Sequence, residues 1–213
     1  VIDMPQSGQA AVTVAKTAIV RSDPRYYAGL VANSVLGGGY SARLSQEIRV
    51  KRGLSYGAYS GLTARQSTGA FTATTQTKNE SAAEVVSLIK TEMAKLAQAR
   101  ADAEEMTARK SVLIGGYGRA LATTDGLAGT LGELALYDIP LSEVQAYTGK
   151  VEAVSAADVQ RFAAEVLDPT LSSVIVAGDA KLFAAELAPV LPGAQTIPLS
   201  ELDLDSPTLR KTP

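Results

Sequence analysis

Histidine, cysteine and tryptophan are all absent from this chain of 213 residues. Without cysteine there is no disulfide and no thiolate metal site, a composition compatible with any compartment. Without histidine the chain lacks the commonest metal ligand and the commonest general base near neutral pH. Any metal or acid–base chemistry it takes part in must draw most of its apparatus from another polypeptide. Net charge is small too: 20 basic and 22 acidic side chains leave −2. That balance excludes the basic footprint of a nucleic-acid binder. No run of about 18 apolar residues exists, so no segment is suited to span a membrane as a helix.

What is present is a chain 46% hydrophobic and 20% charged, with both signs well mixed. It can bury a sizeable core, and residues 1–213 are read as one domain. The first residue is Val1, with no charged n-region or apolar h-region before the first strand. The expectation is a processed chain, a fragment or an expressed domain.

The patterning gives a coarse order of elements. Gln9 to Val20 is β-branched and reads as a strand. Asp23 as cap and Pro24 in the first turn predict a helix carrying Tyr27, Leu30, Val31 and Val35, stopped by Gly37-Gly38-Gly39. Ser41 to Arg52 reads as a second short helix, with Ser41 as cap, a Glu47/Lys51 pair and Gly53 as its stop. Tyr56 to Thr63 and Gly69 to Thr77 read as a hairpin. Thr77 and Glu80 fit a capping box ahead of the stripe Ala82, Val85, Val86, Ile89, Met93 and Leu96. Helical patterns follow over Ala101 to Leu121, Thr123 to Tyr137, Ser142 to Lys150 and Ser155 to Leu167. Ser172 to Ala177 is a short central strand, Asp179 to Leu187 a last helix, and Gln195 to Pro213 mostly extended. Strands cluster early and helices late. The fold class is therefore α+β: a two-layer sandwich, a mostly antiparallel sheet with helices packed on one face.

Three features could carry chemistry. The triple glycine follows a helix and no Gly-Lys-Ser/Thr appears, so the pattern favours a helix stop over a phosphate cradle. Arg49 sits at the negative end of a short helix, where any cation is favourable. Arg43, Lys51 and Arg52 fit that plain role better than Arg49 does. Tyr56 opens a strand whose neighbours Gly57, Ala58, Ser60 and Gly61 are all small. Such a stretch leaves room for a second backbone beside the tyrosine. Tyr59 alternates to the opposite face and is expected to pack. With Gly53 turning the chain between them, Arg49 and Tyr56 could offer two donors to one peptide carbonyl as it becomes an oxyanion. Neither is a base at neutral pH.

Residues 41–60, SARLSQEIRVKRGLSYGAYS, resemble the signature of the C-terminal domains of pitrilysin/insulinase-type zinc peptidases, the group that includes mitochondrial processing peptidase. The likeness runs from about Gln9 to about Leu187 and takes in TTDGLAGTLGELALY and SAADVQRFAAEVL. It implies a processing-peptidase-like domain, forming the C-terminal half of a larger two-domain subunit. It also implies clam-like dimers around a chamber. One domain of such a dimer carries H-x-x-E-H and a distal glutamate. The opposing domain supplies an arginine and a tyrosine seven positions apart, here Arg49 and Tyr56.

The resemblance thus implies catalytic and substrate-binding roles for Arg49 and Tyr56 and no metal ligand on this chain. It implies zinc on a partner domain or subunit, in a homodimer or a heterodimer, with a peptide as substrate. A complete zinc metalloendopeptidase exists only in that assembly. The same family also holds structural members in respiratory complexes, so an inactive assembly subunit is the alternative.

Overall fold

The computed structural model describes residues 1–211. Its centre is one sheet of six strands in the order β3-β4-β2-β5-β1-β6. The long ladders are antiparallel: β2 (Ala10–Thr17) pairs with β4 (Gly69–Thr77) and with β5 (Ser173–Gly178), and β3 (Ala58–Ala64) pairs with β4. Two two-residue strands, β1 (Ile2–Asp3) and β6 (Ile197–Pro198), extend the sheet in parallel.

Alternation along the strands sorts the side chains between two faces. Ala10, Val12, Val14, Ala58, Phe71, Ala73 and Val176 are buried on one. On that face lie α1 (Tyr26–Gly37) and α3 (Ala82–Gln98), with α7 (Ala156–Val166) packed against both. All six apolar stripe positions of α3 are buried. Burying side chains of this size stabilises the fold by roughly 1.5–3 kcal/mol each. The other face presents Ala11, Thr13, Thr74 and Gln76, and no helix among the described residues covers it.

Beyond α1, three helices form a second tier: α4 (Ala103–Leu121), α5 (Thr124–Leu136) and α6 (Glu143–Ala153). Asp102, Thr123 and Ser155 cap α4, α5 and α7 through their side chains, and Ser155 with Asp158 forms a full capping box.

Several local expectations are corrected. The first helix begins at Tyr26, because the Asp23 carboxylate instead accepts from the Arg25 amide at 2.8 Å and holds Pro24 in a turn. Thr77 ends β4 and donates to the Leu54 carbonyl, 2.7 Å away, so no capping box forms and α3 is entered through a 3-10 turn, Asn79–Ser81. The last helix is broken at Phe183 into a 3-10 turn and one α-turn, α8 (Ala184–Leu187). The tail from Gln195 is turn-rich up to residue 211, and its last two residues lie outside the described chain.

Candidate functional site

The segment between α1 and β3 is built on backbone proximity. A Cβ at Gly37 would stand 2.4 Å from the Ser60 amide nitrogen, so only glycine lets α1 end against β3. Next comes α2 (Arg43–Ser45), a single turn, followed by a π-turn over Gln46–Val50. The sequence reading of one short helix thus fails in detail. Its N-cap position is Ala42, and the Ser41 hydroxyl instead accepts from the Arg109 guanidinium at 2.5 Å. The Lys51 amide reaches back to the Gln46 carbonyl at 2.9 Å, a span of five residues. Such widened turns are rare and occur often at functional positions. Arg49 lies within this one. Gly53, at φ +64, then turns the chain toward the sheet.

The cations of this segment fall into two groups. Arg43 makes a two-pronged contact with Glu105 at 2.9 and 2.6 Å. Lys51 and Arg52 both bind Glu47. Hydrogen bonds from Lys51 and then Arg52 hold the Glu47 carboxyl below the usual carboxylate range. Arg49 has no carboxylate partner among the described residues; its guanidinium lies over the Tyr40 ring, 4.8 Å from the centroid. Arg43, Lys51 and Arg52 therefore do what ordinary surface cations do. Arg49 keeps its donors uncommitted.

Tyr56 precedes the strand it was expected to open, since β3 starts at Ala58. The residue is 86% exposed, the highest value among the large exposed apolar and aromatic residues. Its backbone is not free. Thr75 Oγ1 donates to the Gly57 carbonyl at 2.7 Å, and Ser55 Oγ lies 2.7 Å from Thr75 Oγ1. The Gly57 amide donates to Ser55 Oγ at 3.0 Å, and Thr77 Oγ1 holds Leu54. Three of these hydrogen bonds pin residues 54–57 onto β4 and the fourth braces the turn itself, while the phenol projects outward.

Tyr56 borders a groove of about 490 Å³ on the helix-free face of the sheet, which it shares with Ser55, Tyr59, Thr13, Thr74 and Gln76. Tyr59 was expected on the opposite side from Tyr56. The bend at residues 55–57 breaks the alternation and brings both rings to one groove. Arg49 is not part of its lining. Among the described residues no group of three or more carboxylate, histidine or cysteine side chains could hold a metal ion, so the chain's own donors do not fit zinc.

The sequence profile described as the peptidase M16 inactive domain matches residues 1–113, just over half of the chain. The chain belongs to this family. The family likeness seen in residues 41–60 is therefore borne out. An uncharacterised zinc protease of Streptomyces coelicolor is 29% identical over 168 residues, 78% of this chain and 37% of that protein. The crystal structure of a peptidase M16 inactive domain from Pseudomonas fluorescens superposes with a TM-score of 0.77 at 30% identity, over 83% of this chain and 42% of that one. A chain of complex III2 from Candida albicans shares the fold, with a TM-score of 0.73 at 13% identity, over 87% of this chain and 47% of that one. This chain thus spans less than half the length of each of these three. The α+β fold read from the strand and helix order is that of these M16 domains.

Reasoning from sequence passed over the residues that hold this segment in shape. Ser55, two positions before a glycine, was a legible turn signal. Thr75 and Thr77 were not, because their role depends on β4 lying beside residues 54–57. Tyr40 and Arg109 carried no signal at all.

Proposed function

We propose that this domain is the substrate-holding, non-zinc half of a composite zinc-peptidase site that hydrolyses peptides or unfolded polypeptides. The observation that carries the reading is Tyr56: a phenol turned to solvent on a segment held to β4 by three hydrogen bonds. A donor on a fixed backbone stabilises developing charge without reorganising. Arg49, with no carboxylate partner among the described residues, is the second available donor.

The zinc belongs to a partner domain or subunit of the same family, where it would supply an activated water. On this chain, a substrate segment lies extended beside β3, one of the two edge strands of the sheet. Tyr56 donates to the carbonyl oxygen that gains negative charge, and its own proton stays in place. Arg49 holds a neighbouring backbone carbonyl. Peptide hydrolysis by the assembled enzyme tests the reading. Tyr56→Phe and Arg49→Ala should each lower kcat/KM by about 10²–10³, the usual effect of one lost oxyanion donor. If both leave kcat/KM unchanged, the assignment is wrong.

The fold shared with a complex III2 chain keeps a second reading in view, an assembly subunit without peptidase work. A stable complex with a zinc-bearing partner that cleaves no peptide would favour it.

A further inference from the structure

Two cavities of the fold differ in charge. One, of about 970 Å³, is bordered by Arg21, Asp23, Arg25, Glu143, Lys150 and other charged residues. The groove beside Tyr56 is bordered by none, in a chain where 20% of residues are charged. Its polar groups are hydroxyls and amides. Thr13 and Thr74 stand opposite each other in the β2–β4 register, and neither side chain is engaged among the described residues. Together with Gln76 they offer hydrogen bonds to an uncharged polar side chain but no counter-charge.

One wall of the groove is the Tyr59 ring, 48% exposed. It lies against Gly57: a Cβ there would be 2.6 Å from both the ring Cε2 and the Tyr59 oxygen. The ring can take this place only because residue 57 has no side chain. An ionised side chain entering beside it would lose hydration and meet no partner.

From this geometry we infer that the groove is a side-chain subsite for an uncharged residue of the polypeptide held by Tyr56, with Tyr59 as its specificity-determining wall. The inference rests on the substrate-holding role of Tyr56. It goes further by naming what the site rejects, acidic and basic side chains, and which residue does so.

The assembled enzyme can be assayed with fluorogenic peptides varied one position at a time among Asn, Gln, Asp and Lys. At one position the wild type should cleave the neutral peptides about tenfold or more faster than the charged ones in kcat/KM, mostly through KM. Tyr59→Lys should raise cleavage of the Asp peptide and not of the Lys peptide. Tyr59→Glu should do the reverse. Gly57→Ala, which displaces the ring, should weaken the discrimination with Tyr59 still present. Equal cleavage of neutral and charged peptides at every position overturns the subsite, as does discrimination that neither charge swap alters. If Tyr56→Phe lowers kcat/KM while the charge swaps change nothing, only the subsite falls. If Tyr56→Phe has no effect, the substrate-holding role falls and the subsite with it.

Discussion

Six of the eight tyrosines fall into two sites that use the same side chain in opposite ways. Tyr26, Tyr27, Tyr117 and Tyr147 form a chain of ring contacts across α1, α4 and α6, including a stack of Tyr117 on Tyr147 at 3.9 Å. The Tyr27 hydroxyl donates to Glu143, which also accepts from Lys150 at 2.5 Å. Arg21 covers the Tyr26 ring at 3.8 Å. At the end of the sheet, Tyr56 and Tyr59 face solvent and no hydroxyl partner is present among the described residues. The first site packs its four rings inside the fold and commits the Tyr27 and Tyr117 hydroxyls there; the second leaves both its hydroxyls unused among the described residues. In this M16 domain the proposed substrate-holding role rests on those unused donors.

The titration behaviour follows the same division. Burial and then the Glu143 hydrogen bond push the Tyr27 hydroxyl far above its ordinary value. Burial pushes Tyr147 up to about 12. Burial also tends to raise Glu143, but the hydrogen bonds from Lys150 and Tyr27 outweigh it and leave this carboxyl below the usual range.

The contrast can be broken first at Tyr56. Tyr56→Phe should cost the assembled enzyme roughly 2.7–4 kcal/mol of transition-state stabilisation while leaving Tm unchanged. A falling Tm would make Tyr56 a packing residue like the other four. Tyr27→Phe should do the opposite. It removes a hydrogen bond to a charged group and should lower unfolding free energy by about 1.5–3 kcal/mol in urea titration, with peptide hydrolysis intact.

Thr75→Val sharpens the comparison by attacking what holds Tyr56 instead of Tyr56 itself. It removes the two hydroxyl contacts that tie Gly57 and Ser55 to β4 and leaves them bonded only to each other, an effect of about 1 kcal/mol. Amide exchange at Gly57 should quicken, and kcat/KM should fall less than in Tyr56→Phe.

The smallest effect is the dependence on alkaline pH. An unfolded tyrosine releases its proton near pH 10, whereas Tyr147 in the fold holds it to about 12. The stabilisation is fully present below pH 10 and is lost as pH rises toward 12. Tm should fall across that window, and Tyr147→Phe should make the fall shallower without abolishing it, because Tyr26, Tyr27 and Tyr117 are raised too.

Much of the fold was legible because it rests on local pattern. The α3 stripe is buried as its spacing predicted, and Ser155 and Asp158 close a box three residues apart. The hairpin follows from two alternating runs and a short polar loop. What escaped depended on distant partners. The strands β1 and β6 are two residues long and exist only because β5 and β1 lie beside them. The Tyr27–Glu143 contact joins residues 116 apart. The π-turn around Arg49 is a change of hydrogen-bond register that no residue type announces.

By itself, then, the sequence determined that this chain has no histidine or cysteine with which to hold a metal, that it folds as helices over an antiparallel sheet, and that Arg49 and Tyr56 lie seven positions apart in an M16-like segment. Composition and local periodicity are enough for that. Only the tertiary structure decided which cations are consumed in ion pairs, which tyrosines are spent in packing, and that Tyr59 shares a groove with Tyr56. Those outcomes depend on which segments lie side by side in space, and β4 brings Thr75 and Thr77 under residues 54–57 from some twenty positions away.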